Sequence, residues 1–319
     1  MITNFILDAN NNLITSEQLS NAIWTDLLAP TPQEQTAVEK ELNIAIPEHN
    51  ELLPLEFSNR FYEHNGALYM CVNVITTIKP VPETHRLIII ITPKKLITVR
   101  YSDPNPIQTI IAQLPRRPVT IRNPIDIFLI IAGGLVGQIA DVYEFFEVRT
   151  EELSGILMQS TTRAVPRRVS NLNHALAEVT HLENLLSKCY QSLSSLQLML
   201  SFFPIGYAKL CSETMPADLP SLTHDIKVMI DHGEYLTQKI EFQLETTLGL
   251  INLEQTYIIK TFTVLAMIFM PPTLIASIYG MNFKNIPELS LPYAYPLCLL
   301  LMLATSIIPY KIFKSKGWI

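Results

Sequence analysis

The titratable side chains of this 319-residue chain are plentiful, but they do not converge on a reaction. His174 and His181 lie seven apart with Glu178 between them, on one helix face, a spacing that can be drawn as a metal pair. No third ligand stands near them in sequence, so a solvated helix surface is the better reading, and His224-Asp225 and Asp231-His232 are read the same way. Glu234, Gln238, Glu241 and Glu245 follow at spacings of four, three and four, which makes one acidic helix face. Gly-x-Ser-x-Gly, His-Glu-x-x-His and Walker patterns are all missing, so the chain is not read as an enzyme. Cys71, Cys189, Cys211 and Cys298 are scattered without a Cys-x-x-Cys pair, which fits a reducing compartment and argues against a zinc ribbon. Thr256, Thr263, Thr273, Ser277 and Asn282 stand in or beside a stretch with no charge at all.

That stretch, Thr261 to Phe283, is bounded by Lys260 and Lys284. At about 1.5 Å per residue it reaches roughly 34 Å, enough to cross a hydrocarbon core of about 30 Å. A second uncharged run, Leu289 to Tyr310, follows Glu288 and is closed by Lys311, so the two read as a hairpin of membrane spans. Before Lys260, 18 Lys and Arg face 28 Asp and Glu, whereas from Lys260 onward 5 face 1. A large acidic domain is thus tethered to a small basic anchor in the lipid bilayer, and nucleic acid is an unsuitable partner. MITNFILDANNN offers no basic segment followed by an apolar core, so no cleaved signal peptide is expected. Lys311, Lys314 and Lys316 place both termini in the cytoplasm by the positive-inside bias, with an external loop at 284–290.

The residues at the hairpin's turn read Tyr279-Gly280-Met281-Asn282-Phe283, then Lys284-Asn285-Ile286-Pro287-Glu288. This resembles the CorA magnesium transporter family, whose signature is Gly-Met-Asn at the end of the first of two C-terminal spans, followed by a short loop ending in Met-Pro-Glu. Ile286 stands at the Met position. Ile251-Asn252-Leu253-Glu254-Gln255, Pro271-Pro272-Thr273 and Lys314-Ser315-Lys316-Gly317-Trp318 extend the resemblance, which is densest over 223–319 and thinner over 1–222.

The resemblance implies a homopentamer in the plasma (inner) membrane that passes Mg²⁺, with cobalt or nickel as further passengers and no organic cofactor. It implies a pore lined by the first span. Read back from Asn282 at helical spacing, Ser277, Thr273, Met270, Ala266, Phe262 or Thr263, Ile259 and Thr256 would face its axis. No carboxylate lies there to replace the water of a bare divalent ion. Mg²⁺ gives up water reluctantly and prefers octahedral oxygen at about 2.1 Å, so neutral oxygens suit the hydrated ion. Gly280, Met281 and Asn282 would form the filter, with five Asn282 carbonyls accepting from first-shell waters; the alternative for Asn282 is a helix C-cap. Five copies of Glu288 would recruit cations, and Lys284 would oppose them. Pro271-Pro272 frees backbone carbonyls, tolerable where backbone lines a cavity or neighbouring helices compensate. Met270, Phe262 and Ile259 are candidates for a constriction that gates by dewetting.

The resemblance further implies closure by cytoplasmic Mg²⁺ bound between protomers, for which Glu245 and Glu241 are the candidate ligands. Two rival readings carry other expectations. A zinc-transporting branch of the fold usually differs at the Met of the motif, and Met281 speaks against it. A membrane-anchored sensor or scaffold needs neither Pro271-Pro272 nor Asn282.

The expected fold is α+β. Residues 1–120 form a cytoplasmic domain with a sheet covered by helices, with strands at 22–27, 67–78, 85–92 and 96–101. Thr31-Pro32-Gln33-Glu34 is a capping box opening a helix to about Leu42. The unbroken apolar run at 87–91 predicts a strand buried on both faces. Residues 121–222 form a helical hairpin and loop: one helix through Leu157, a break near Pro166, a return from Arg168 to Leu200, then a Pro-rich loop from Pro204 to Pro220. The hairpin's tip, Arg163 to Arg168, is basic where family members are expected to be acidic. Ile127 to Ala140 is uncharged but too short for a span and reads as a buried helix. A stalk helix continues into the first span over 223–283, followed by the loop at 284–290, the second span at 291–312 and a basic tail at 313–319. The stalk and span together would make a helix of about 60 residues, roughly 90 Å.

Overall fold

Seven strands and six helices follow one another in a computed structural model that describes residues 1–8, 13–47, 60–76, 83–102, 105–113, 121–160, 165–210, 215–282, 287 and 291–315. The strands are β1 (Ile2–Leu7), β2 (Leu13–Ser16), β3 (Trp24–Leu28), β4 (Phe61–His64), β5 (Ala67–Thr76), β6 (Glu83–Ile91) and β7 (Leu96–Arg100). The helices are α1 (Pro32–Leu42), α2 (Asn105–Gln113), α3 (Pro124–Ser160), α4 (Val165–Leu210), α5 (Leu219–Tyr279) and α6 (Ala294–Ser315). They make two compact units, Met1–Met158 with Ala175–Leu244, and Gln159–His174 with Glu245–Ile319.

In the first unit one sheet runs in the order β2-β1-β3-β7-β6-β5-β4, antiparallel except where β3 lies parallel to β7. Side chains alternate faces along a strand. Ile88 and Ile90 of β6 therefore join Ile97, Val99, Tyr69 and Cys71 around Val38 of α1, in one apolar cluster. Leu87, Ile89 and Ile91 point the other way and are equally buried, so the expected two-sided strand is present. Helices cover that other face: Gly206 of α4 sits so close to Leu68 that a Cβ there would lie 2.4 Å from its side chain, and Phe203 of α4 stacks on Phe128 of α3.

α1 opens as its capping box requires, with Thr31 Oγ1 accepting from Glu34 N and the Glu34 carboxylate accepting from Thr31 N at 2.8 Å. The sheet itself holds a buried ion pair, on the face turned away from α1. Arg100 donates to Asp26 at 2.8 Å, Thr98 Oγ1 donates to the same carboxylate at 2.6 Å, and Trp24 Nε1 donates to Thr98 at 3.0 Å. β4 pairs with β5 only as far as Met70, and beyond it no strand among the described residues pairs with that edge of β5. Two serines of α4 meet that edge: Ser192 Oγ donates to Asn73 O at 2.7 Å, and Ser195 Oγ accepts from Asn73 N at 2.9 Å.

The helical part departs from the expected boundaries at its prolines. Pro166 lies in the first turn of α4, where its missing N–H has no helical partner to lose. α3 ends at Ser160 and α4 begins at Val165; residues 161–164, Arg163 among them, lie outside the described residues. α4 does not end at Leu200 but runs through Pro204 to Leu210. An interior proline costs about 3 kcal/mol, and here the helix continues because Phe203 and Tyr207 are stacked on each other and almost fully buried. α5 begins at Leu219, with Pro220 again in the first turn, and is unbroken for 61 residues.

Among the described residues, three helices are long and apolar enough to cross a membrane: Pro124–Met158, Leu219–Tyr279 and Ala294–Ser315. Half of the apolar window of the first is buried inside the protein, whereas none of the windows of the other two is. α3 is thus a core helix, and the last part of α5 with α6 forms two C-terminal transmembrane helices.

Candidate functional site

In the second unit, the row Val264, Met267, Ile268, Pro271, Pro272 and Ile275 of α5 is half-buried. From α6, Ser306 Oγ donates to Ile268 O at 3.1 Å, which marks this row as the side facing α6. At about 100° per residue, the stripe expected from sequence is centred roughly 150° round α5 from that row. Thr256, Ile259, Phe262, Thr263, Ala266, Met270, Thr273 and Ser277 are all exposed or half-exposed, Phe262 at 67% and Met270 at 68%. A shallow groove runs along its C-terminal half, lined by Ala266, Phe269, Met270, Thr273, Leu274 and Ser277. The hairpin therefore leaves free the face that a pore would need.

Three threonines of the stripe share a hydrogen-bonding habit. Thr256 Oγ1 donates to Asn252 O at 2.8 Å, Thr263 Oγ1 to Ile259 O at 2.8 Å, and Thr273 Oγ1 to Phe269 O at 2.7 Å. A hydroxyl has one hydrogen and two lone pairs. With the hydrogen used on the helix's own carbonyl, each side chain presents acceptor oxygen outward, the polarity that water molecules of a cation's shell require. Asn252, one turn before Thr256 and exposed, extends the stripe toward the N-terminus of α5; it was legible from the same four-residue spacing. Phe269 at the groove's edge was not.

At the C-terminal end of α5, Gly280 N donates to Ala276 O at 2.9 Å and Met281 N to Ile278 O at 3.3 Å, so the last turn tightens before the helix stops. A Cβ on Gly280 would lie 3.0 Å from Ala276 O, a crowded position that glycine avoids. Neither Gly280 nor Asn282 has a left-handed backbone, so the turn is not the αL cap considered for Asn282. Asn282 is exposed, and its amide makes no hydrogen bond to any described residue. Glu288, Lys284 and Ile286 lie outside the described residues.

The candidate regulatory ligands Glu241 and Glu245 lie one turn apart on the same face of α5. Glu241 is exposed in the first unit, in a cleft with Glu183, Tyr190, Glu234 and Gln238, and Glu245 is exposed in the second. Among the described residues no group of three or more His, Cys, Asp or Glu is placed to hold a metal, and this includes His174 and His181. His232 instead lies 3.5 Å from Glu147 of α3 and beside the Tyr143 ring.

Similarity to known proteins runs the length of the chain. Residues 20–315 match the family described as CorA-like Mg²⁺ transporter protein. The chain is 30% identical over 331 residues to the magnesium transport protein CorA of Haemophilus ducreyi (strain 35000HP / ATCC 700724), with 100% of both covered. It is 28% identical over 326 residues to that of Escherichia coli (strain K12), again with 100% of both covered. Among solved structures, the complete CorA magnesium transporter from Methanocaldococcus jannaschii superposes with a TM-score of 0.74 at 20% identity, covering 100% of this chain and 99% of that one.

Proposed function

The chain belongs to the CorA-like Mg²⁺ transporter family, and from that premise we propose that it conducts hydrated Mg²⁺, with Co²⁺ and Ni²⁺ as further passengers, through a homopentameric pore lined by α5. The observation that carries this reading is the free face of α5. One hairpin encloses nothing, but five arranged around an axis would turn the exposed stripe inward while α6 faces outward to lipid. The ion keeps its inner water, because the stripe has oxygen acceptors and no carboxylate. Asn282 carbonyls hold those waters at the outer mouth, and Thr273, Thr263 and Thr256 oxygens succeed them inward. Met270, Phe262 and Ile259 interrupt the oxygens with apolar rings that gate by dewetting when narrow.

Glu288 raises the cation concentration at the external loop. Both termini lie in the cytoplasm and the membrane is the plasma (inner) membrane, following Lys311, Lys314 and Lys316 near the end of the chain. Cytoplasmic Mg²⁺ at seams between protomers, with Glu245 and Glu241 as ligands, relieves the repulsion of five acidic domains and favours the closed state; its removal opens the pore by population shift. Two exposed carboxylates one turn apart on α5, with no group of three or more ligand side chains among the described residues, support a site completed by a neighbour.

Purified chain in liposomes, with an Mg²⁺ indicator inside, gives the test. Mg²⁺-dependent filling that Met270→Lys stops is expected, whereas liposomes that fill no faster than protein-free ones would leave the chain a tethered sensor or scaffold.

A further inference from the structure

In an α-helix each N–H donates to the carbonyl four residues back. Pro272 has no N–H, so Ile268 O loses its donor, at a depth where the bilayer offers no water to replace it. The hydroxyl of Ser306, on the other helix, lies 3.1 Å from that oxygen. It lies equally near Met302 O of its own helix at 3.1 Å, but Met302 O sits in a regular stretch of α6 with a backbone N–H of its own. The single hydroxyl hydrogen therefore gains more at Ile268 O, the acceptor with no helical donor.

We propose that Ser306 is a positioning residue for ion passage: its hydroxyl stands in for the amide hydrogen missing at Pro272 and fixes the turn of α5 that presents Met270 and Thr273 to the pathway. Ile268 faces α6, whereas Met270 and Thr273, two and five residues on, belong to the exposed face. Losing the tie leaves a bare carbonyl in hydrocarbon, which the helix relieves by unwinding locally, and any such rotation carries the two pathway side chains with it. The inference rests on the pore reading above.

The test uses the full chain with Ser306→Ala, Ser306→Thr, Pro272→Ala and the Pro272→Ala/Ser306→Ala pair. Thermal unfolding in detergent and the maximal rate and half-saturating Mg²⁺ of liposome uptake are measured for each. Ser306→Ala should lower the melting temperature and cut the maximal rate about three- to tenfold, the range of one interhelical hydrogen bond in a membrane protein, with half-saturation unchanged. Ser306→Thr, which keeps the hydroxyl, should restore both. In the Pro272→Ala background the amide N–H regained at position 272 serves Ile268 O, so Ser306→Ala should add no further loss. Equal losses in both backgrounds would mean that the hydroxyl serves only its own helix, and unchanged uptake by Ser306→Ala would remove the positioning role alone. Wild-type chain that passes no Mg²⁺ would overturn the pore reading and the positioning role with it.

Discussion

Asn282→Ala separates holding an ion's water from holding the protein together. The side chain lies past the end of α5, exposed and without a hydrogen bond to any described residue. Stability of the protomer should therefore change by less than about 0.5 kcal/mol, the usual range for such surface positions. Uptake should behave otherwise. If the hydrated ion touches three of five amides at a time, each water-bridged bond contributing about 1 kcal/mol, the variant loses about 3 kcal/mol of ion binding at the mouth. That is a fall of roughly two orders of magnitude in rate at low Mg²⁺. Liposome uptake reads the rate, and size-exclusion chromatography with thermal unfolding reads the assembly. Wild-type uptake by Asn282→Ala would refute the reasoning outright, and loss of the assembled form would show that the amide braces the protein instead.

The other expectations concern gating and the folded core. Glu245→Lys should mimic a cation at the seam and shift the dependence of closure on internal Mg²⁺; currents whose inhibition curve superimposes on wild type would remove Glu245 from gating. Asp26→Ala leaves the Arg100 guanidinium buried at 4% exposure without its carboxylate, so denaturant unfolding should show a loss of about 3–5 kcal/mol; a loss below about 1 kcal/mol would mean that water reaches the site. Burial pushes the Cys189 thiol up to about 12, which keeps it neutral at pH 7.5, and maleimide should modify it only after unfolding. Labelling of the native protein at the rate of a free thiol would contradict its burial.

Why some elements were legible and others not follows from their physics. The capping box before α1, the apolar run of β6 and the two uncharged spans each carry their signal in consecutive residues, and the structure has all three. β4 was missed although Asn65-Gly66 follows it, both with positive φ, the two-residue turn that closes a tight hairpin; Phe61 to His64 is too short to show alternation. β1 and β2 were missed because each is short and only partly buried. Pro204 misled because a proline's local cost is visible in sequence, and the aromatic stacking that outweighs it is not. The stripe on α5 could be read from spacing, since one helix suffices to define a face. Ser306 could not, because the carbonyl it serves belongs to a residue 38 positions away in the chain.

The back-bonded threonines also bear on anions. A halide or phosphate entering along the stripe would need hydrogen donors to replace those of its hydration water. Thr256, Thr263 and Thr273 have each committed their one hydrogen to a carbonyl of α5. If the stripe lines the proposed pore, its oxygens would disfavour negative ions over this length while carrying no charge of their own. Discrimination by sign of charge would then cost the cation nothing in tight binding, and a lining that rejected anions without gripping cations would let a divalent ion leave as readily as it enters.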